Sequence, residues 1–295
     1  MSGLKIIRRR LSSVKNTKQI TRAMKLVSAA KLKRAQDAAL GGRKFSNRLD
    51  EVLLAAISQL PSEFNHPLIE SRPIKRRAYV LFAGERGLCG AYNTNVGKAC
   101  IASVNNGAEV EPVFFVVGRR AEALAKRSSW TVQESLVGLP EDPSQWPLNE
   151  LGASLVSMFE TKVVDEIVLI YTKFVSAMSL VVTEEVLLPF SVSSGVVNEA
   201  VGDSATGLAG NVKVEPSAPE VFSSVLPLVL KTKLFQAAYE SKACEHAARM
   251  TAMDSATRNA DELIGKLLLF YNRARQRAIT SELMDILGGA EAQKN

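Results

Sequence analysis

The sequence predicts an α/β chain in which long N- and C-terminal helices form an antiparallel coiled coil and a central domain carries a mostly parallel sheet. Two observations locate the helices. All 11 prolines of the 295 residues lie between Pro61 and Pro227, and glycine is absent from residues 4–40 and 211–264. Because proline and glycine interrupt helices, both ends can form long uninterrupted ones. The third observation is an alternation of β-rich and helical segments in the middle.

The N-terminal helix carries apolar residues at helical spacing. Leu4, Ile7, Leu11 and Val14 follow one another at steps of three, four and three residues. The pattern is then predicted to change phase, continuing through the apolar residues at positions 20, 24 and 27. We therefore expect the two helices to coil about each other irregularly.

The C-terminal helix has a longer seam of small and apolar residues at steps of three or four, close to a heptad repeat. Its members are Ala243, Ala247, Met250, Met253, Thr257, Ala260, Ile264, Leu267, Tyr271, Ala274 and Ala278. A helix over residues 221–287 is about 100 Å long, whereas a compact chain of this size has a radius of gyration of about 19 Å. Such a helix is expected to project, and its thin, alanine-rich pairing predicts that another protein surrounds it.

The middle of the chain predicts a Rossmann-like domain with a mostly parallel sheet. β-rich runs occur at residues 78–82, 112–117, 166–171 and 180–188, with helical segments near 94–103, 119–127 and 148–164. Residues 191–218 have the glycine and proline content of a flexible connection. The predicted division is an N-terminal helix over 1–60, the α/β domain with its connection over 61–219 and the C-terminal helix over 220–295.

The net charge of +7 belongs to one end of the chain. Residues 1–50 hold 14 Lys or Arg and two acidic residues. Such a basic arm is a solvated helix face, a nucleic-acid contact or a surface that fits inside an acidic protein partner. A coiled-coil nucleic-acid binder would bind duplex DNA with an affinity that falls steeply with salt. Composition alone does not choose among these interpretations.

Groups that carry out chemistry are scarce. Residues 84–90 have the spacing G-x-x-G-x-x-G after a predicted strand, which favours a tight strand-to-helix turn over a phosphate-binding loop. A nucleotide-binding enzyme on the α/β domain would bind ATP or a dinucleotide saturably. Cys89 is interpreted as a small buried residue and His246 as structural. No catalytic residue, cofactor or metal is expected, since three cysteines and two histidines form no spaced cluster.

Neither a membrane span nor a signal peptide is expected. The longest unbroken apolar runs are far shorter than the roughly 18–20 residues that a span needs. The first residues lack an apolar signal region and a small-residue cleavage site.

Five stretches distinguish between the interpretations. Residues 279–292 match the signature Ile/Val-Thr-x-Glu-x-x-acid-x-x-x-Gly-Ala of the gamma subunit of rotary ATP synthases. Residues 13–27, 86–93, 245–253 and 271–276 resemble the same family and occur in the family's order. The resemblance spans the whole chain.

The resemblance implies a non-catalytic rotor. The paired terminal helices would be the shaft inside a ring of three alpha and three beta subunits, and the central domain would be the foot, seated on the epsilon subunit and the membrane c-ring. One copy per complex would couple proton flow through the c-ring to ATP synthesis or hydrolysis on the beta subunits. Contact with the membrane would be indirect, at the cytoplasmic face of a bacterial inner membrane, and no nucleic acid would be bound.

Residue roles follow from the resemblance position by position. Met24, Lys25, Arg275 and Gln276 match positions near the acidic catch loop of the beta subunit. Ile286, Leu287 and Ala290 match the tip that turns in an apolar bearing. Arg86 and Glu215 match foot positions that contact the c-ring or epsilon.

Overall fold

The computed structural model describes residues 2–57, 59–61, 64, 66–107, 109–190 and 217–292. Within these residues the chain forms five α-helices and five β-strands. The helices are α1 Ser2–Ile57, α2 Tyr92–Asn106, α3 Arg119–Arg127, α4 Leu148–Glu160 and α5 Ala218–Ala292. The strands are β1 Arg76–Phe82, β2 Glu111–Val117, β3 Val132–Leu136, β4 Glu166–Phe174 and β5 Leu180–Leu188. The predicted connection over 191–218 lies outside the described residues as far as residue 216.

The strands form one sheet in the order β3-β2-β1-β4-β5. The first four strands of the chain pair in parallel, whereas β5 is antiparallel to β4. A short turn joins β4 to β5, and a connection of that length permits only antiparallel pairing. The prediction of a mostly parallel sheet is confirmed.

The chain groups into two compact units, which we call unit 1 (residues 1–29 and 249–295) and unit 2 (residues 30–248). Unit 2 contains the sheet, and its core combines β1 and β4 with α4 and the first part of α5. Side chains with less than 2% exposure include Val80, Phe159, Leu169, Phe222 and Leu226. Burial of this apolar surface is the main stabilising term for the unit.

The first part of α5 also bears on the expectation of no membrane span. By length and composition, one described helix, within Ala218–Met284, could cross a membrane. The expectation from unbroken apolar runs alone is therefore too strong. This criterion is weak for a single helix, because helices of a protein core meet it too. Phe222, Leu226 and Leu234 of this helix lie in the core of unit 2.

The loop after β1 is a turn, as predicted, and side chains of α2 and α3 lie against it. The backbone N–H of Gly84 donates to Asn93 Oδ1 at 2.9 Å. A Cβ added at Gly87 would lie 2.6 Å from an Arg120 nitrogen. Cys89 is buried. Because the Gly84 amide is already bonded and Arg120 occupies the space beside Gly87, this loop does not resemble a phosphate-binding loop.

Unit 2 also contains a buried carboxylate that joins three elements. Glu240 of α5 accepts hydrogen bonds from Arg43 Nε at 2.5 Å and Arg43 Nη2 at 2.7 Å. It also accepts from the Phe174 backbone N–H at 2.6 Å and from Gln236 Nε2 at 2.7 Å. The Glu240 side chain is only 3% exposed. These bonds fix α1, α5 and the end of β4 to one another.

Unit 1 consists of the two paired helix ends. Every residue of the predicted α5 seam from Met250 to Ala278 is buried or half-buried, so that prediction is confirmed. The predicted phase change in α1 is wrong. Lys18, Thr21, Lys25 and Ser28 are buried or half-buried and continue the spacing from Val14 at steps of four, three, four and three, with Met24 half-buried beside them. Ile20 is 59% exposed and Val27 is 56% exposed, so the apolar residues after position 18 do not follow the seam.

Three cross-helix pairs give the register of unit 1. Lys18 pairs with Asp261, Thr21 with Thr257 and Lys25 with Asp254. The pairing is antiparallel, and the numbers of paired residues add to 278 or 279. A partner for Leu11 therefore lies near residue 267.

A crosslinking experiment tests this register. Leu11→Cys with Leu267→Cys places two thiols at facing, half-buried seam positions, so we expect a disulfide on mild oxidation, because the Cα atoms must approach within about 7 Å. Leu11→Cys with Ile279→Cys is the matched control, about 18 Å further along the helix. Gel mobility measures both pairs. A crosslink only in the control would show that the register is wrong.

Candidate functional site

The surface of unit 1 is unusually rich in exposed apolar side chains. Of the 26 large apolar residues that are exposed in the described part of the chain, 13 lie in unit 1, which holds about a quarter of the residues. Leu269 is 63% and Phe270 65% exposed, and Leu26 is 64% exposed. Exposed apolar surface of this density marks a protein-interaction site. Sequence reasoning missed these residues as contacts. Each is an apolar residue that lies off the seam, and the sequence alone shows this.

The same surface is strongly basic. The α1 part of unit 1 has no acidic residue, and Arg8, Arg9 and Arg10 are all exposed. In the register above, these three lie at the level of residues 268–271 of α5, and Arg273 and Arg277 further along α5 are exposed as well. Apolar and arginine side chains together are typical of interface residues.

The predicted beta-subunit contacts fall into two groups. Met24 is half-buried, and Lys25 Nζ lies 2.5 Å from Asp254 Oδ1 in the partner helix. Arg275 and Gln276 are exposed, about 30 Å further along α5 at 1.5 Å per residue. The structure therefore does not bring the four residues together, and any contacts that they make occur at two levels of the helix pair.

The predicted tip is exposed. Ile286 is 68% and Leu287 is 62% exposed, and their neighbour Met284 is 65% exposed. Position 277 of α5 faces Ser2, so the residues of α5 beyond it have no facing residue in the described part of α1. Ala290 is helical in its backbone, and its side chain is outside the described residues.

Of the two predicted foot residues, one can be located. Arg86 is exposed in the loop between β1 and α2, beside Leu88, which is 64% exposed and has a φ of +60°. Glu215 lies outside the described residues. The role of both remains a prediction.

His246 belongs to an ion-pair network in unit 2. Its Nε2 lies 2.6 Å from Glu141 Oε1, and the other oxygen of Glu141 accepts from Lys31 Nζ at 2.8 Å. Lys242 Nζ lies 3.6 Å from Glu141 and 3.4 Å from Glu245. The network joins the loop that contains Glu141 to α1 and α5, which agrees with the structural role predicted for His246.

The network has a pH dependence of known sign. Burial lowers the pKa of His246, although Glu245 and Glu141 act in the opposite direction. Burial opposes ionisation of Glu141 as well, yet the Lys31 hydrogen bond and the Lys242 charge lower its pKa to about 2. Both folded pKa values lie below the unfolded ones. The contribution of these two groups to the free energy of unfolding is therefore complete above about pH 6.5. It decreases as the pH falls, first through His246 and then through Glu141.

We expect proton NMR to show His246 titrating below its ordinary pKa of about 6.5. The chain has two histidines, so His66→Gln leaves a single imidazole and assigns the signal. A pKa at or above 6.5 would show that pairing with Glu141 outweighs burial.

No group of three His, Cys, Asp or Glu side chains that could hold a metal ion occurs among the described residues. The exposed apolar and basic surface of unit 1 instead indicates the class of proteins that contact other proteins along two paired helices. Known proteins narrow this class. The family model described as ATP synthase matches residues 3–293. The ATP synthase gamma chain of Brevibacillus brevis is 38% identical over 293 residues, 99% of each chain.

Two solved structures share the fold. The rotational state 3 structure of Euglena gracilis mitochondrial ATP synthase, which contains OSCP, F1 and the c-ring, has a chain with a TM-score of 0.66 at 18% identity. The match covers 99% of this chain and 95% of the Euglena gracilis chain. The central stalk and c-ring structure from Tetrahymena thermophila mitochondria has a chain with a TM-score of 0.58 at 23% identity, covering 80% and 99%.

The chain therefore belongs to the ATP synthase gamma chain family. As a member of this family it is a subunit of the membrane-associated ATP synthase complex.

Proposed function

We propose that the chain is the rotor shaft and foot of a bacterial ATP synthase, present as one copy per complex at the cytoplasmic face of the inner membrane. Unit 1 would lie inside the ring of alpha and beta subunits. The α/β domain would contact epsilon and the c-ring. Family membership over the full chain supports this assignment against a nucleic-acid binder or a nucleotide-binding enzyme. The division into residues 1–60, 61–219 and 220–295 remains part of the proposal.

The observation that carries the proposal is the concentration of exposed apolar and arginine side chains on unit 1. Two paired helices with an alanine-rich seam bury little of their own surface, and Ile20, Leu26, Leu269 and Phe270 remain exposed. Removing these side chains from water is favourable at about 25 cal/mol per Å². A ring of subunits around the helices would cover them, and acidic groups of that ring would pair with the arginines.

Coupling follows from the asymmetry of such a shaft. A beta subunit that meets the face with Leu269 and Phe270 experiences a different surface from one that meets the opposite side. Shaft angle and the preferred conformation of each beta subunit are then thermodynamically linked. Each proton that crosses the membrane supplies about 2.3 kcal/mol per 100 mV. Because this is less than the synthesis of ATP requires, the shaft has to pool several proton steps.

The proposal includes the absence of catalysis by this subunit, and this can be tested on the isolated chain. We expect the purified chain to hydrolyse no ATP above a buffer control, measured by phosphate release with and without Mg²⁺. The Gly84 amide of the loop at residues 84–90 already donates a hydrogen bond to Asn93. Hydrolysis that copurifies with the chain and disappears in a Gly87→Arg variant would contradict the proposal.

Rotation provides the decisive experiment. Met178, in the turn between β4 and β5, is 89% exposed, whereas Cys89, Cys100 and Cys244 are buried. Met178→Cys therefore gives a single reactive thiol for a bead or gold rod. The variant is coexpressed with alpha and beta subunits of its own complex, and the ring is fixed to glass. We expect a complex with three alpha, three beta and one copy of this chain by native mass spectrometry, and one-directional rotation on adding ATP.

Two results would contradict the assignment. One is an alpha–beta ring that assembles but never retains this chain. The other is a complex of the expected composition whose probe shows only random angular motion while ATP is hydrolysed.

A further inference from the structure

Three polar pairs connect the two helices of unit 1 at successive layers of the seam. Thr21 Oγ1 lies 2.8 Å from Thr257 Oγ1. In the layer nearer the N-terminus of α1, Lys18 pairs with Asp261. In the next layer towards the C-terminus of α1, Lys25 Nζ lies 2.5 Å from Asp254 Oδ1. At these layers polar side chains occupy the seam, although apolar residues are available at neighbouring positions of α1. Ile20 and Leu26 are displaced to the outer surface instead.

In the central pair Thr21 is buried and Thr257 is half-buried, and the two hydroxyls have alternative hydrogen-bond arrangements. Thr21 is 8% exposed. Its hydroxyl also lies 3.0 Å from the Lys18 carbonyl, and the Thr257 hydroxyl lies 2.7 Å from the Met253 carbonyl. Each hydroxyl has one proton, so two protons serve three contacts. The cross-helix bond forms with either threonine as donor, and the remaining proton bonds within its own helix.

Directional bonds matter for a helix pair that carries torque. When two wound helices are twisted about their common axis, each slides along the other. Contacts between small apolar side chains resist this weakly, because they are non-directional. A hydrogen bond weakens steeply when its distance or angle changes. Three consecutive polar layers therefore oppose sliding more than an apolar seam of equal length.

We propose that Thr21 and Thr257, with the ion pairs on either side, are positioning residues that set the torsional stiffness of the shaft. This inference rests on the proposed rotor function. The two ion pairs are partly exposed, with side-chain exposures of 33% and 52% for Lys18 and Asp261. Exposed ion pairs add little to global stability. Their contribution is to orientation, and Arg258 Nη2 holds Asp254 in place at 3.1 Å.

The test compares nearly isosteric variants in the assembled complex. Thr21→Val with Thr257→Val removes the part-buried cross-helix bond and keeps the side-chain shape. Lys18→Asp with Asp261→Lys reverses one ion pair and retains it, whereas Lys18→Asp alone places two carboxylates opposite each other. Thr17→Val is the matched control, because the Thr17 hydroxyl is exposed and donates only to the Ser13 carbonyl of its own helix, at 3.1 Å.

Stiffness is measured from the angular fluctuations of the probe at Met178→Cys during pauses, with the ring fixed. We expect the angular variance to rise in the double valine variant, because the directional cross-helix bond no longer opposes sliding of the two helices. A rise is also expected for Lys18→Asp, with recovery in the charge-reversed pair. Thr17→Val should match the unmodified chain.

Hydrogen exchange of the isolated chain distinguishes a change in torsional stiffness from local opening of the helix pair. We expect amide exchange in residues 14–28 to increase about two- to tenfold in the double valine variant. Faster exchange with unchanged angular variance would overturn the stiffness role and leave the rotor function intact. If both are unchanged, the pairs do not connect the helices in solution. Absence of rotation in the unmodified complex would instead contradict the proposed function itself.

Discussion

Replacing Arg275 and Gln276 together by alanine should slow ATP hydrolysis and ATP-driven proton pumping about ten- to 150-fold, while the complex still assembles. Both side chains are exposed on α5, and Gln276 lines a shallow surface pocket with Arg273, Arg277 and Thr280. A guanidinium and an amide can donate hydrogen bonds to carboxylates of one beta subunit at a time. Each bond to a charged group contributes about 1.5–3 kcal/mol. A bond that forms at only some shaft angles changes the barrier by that amount.

The measurement uses membranes that carry the variant, with both rates normalised to assembled complex. Arg127→Ala with Gln133→Ala is the matched control, since it removes one exposed arginine and one exposed glutamine from unit 2. Unchanged rates would show that Arg275 and Gln276 are ordinary surface residues. Loss of assembly would show that their role is structural.

Replacing Glu240 by leucine should lower the free energy of unfolding by about 3–5 kcal/mol, near the lower end because Arg43 is 30% exposed. The change leaves the Arg43 guanidinium without its carboxylate partner and the Phe174 N–H without an acceptor. Urea unfolding of the isolated chain, followed by circular dichroism, measures the effect.

Two further variants make this prediction specific. Arg43→Met with Glu240→Leu replaces the whole ion pair by apolar groups, so the part of the loss that comes from the unpaired Arg43 should return, while the Phe174 N–H stays without its acceptor. Glu51→Ala removes one partner of the exposed Arg48–Glu51 pair and should change stability by no more than about 0.5 kcal/mol. A loss for Glu240→Leu no greater than that of Glu51→Ala would show that the buried network is energetically neutral.

The α5 seam could be predicted from sequence, whereas the α1 seam could only be followed as far as Val14. In the α5 seam from Met250 to Ala278 the buried and half-buried members are mostly small or apolar, so hydrophobic periodicity finds them. In α1 the seam continues through Lys18, Thr21 and Lys25, whose burial depends on Asp261, Thr257 and Asp254 in the other helix. A single-helix pattern holds no information about partners more than 200 residues away.

The sheet shows the same limit. Strands β1, β2, β4 and β5 are apolar and were predicted close to their observed bounds. Strand β3, Val132–Leu136, was missed, because Gln133, Glu134 and Ser135 give this edge strand little apolar signal. For the interaction surface, motif resemblance selected the exposed Arg275, Gln276, Ile286 and Leu287. It did not select Leu269 or Phe270, although both are apolar residues that lie off the predicted seam.

The exposed apolar face of unit 1 also has a consequence for the cell. A copy of this chain that has not found its ring displays Leu269, Phe270 and Met284 to every chaperone and protease it meets. Quality-control systems recognise such surface, and transiently exposed apolar chains aggregate at micromolar concentrations. Surplus copies should therefore be short-lived, and their half-life should lengthen when alpha and beta subunits are supplied. One chain is needed for every six ring subunits in the proposed complex, so its abundance would be set by degradation as much as by synthesis.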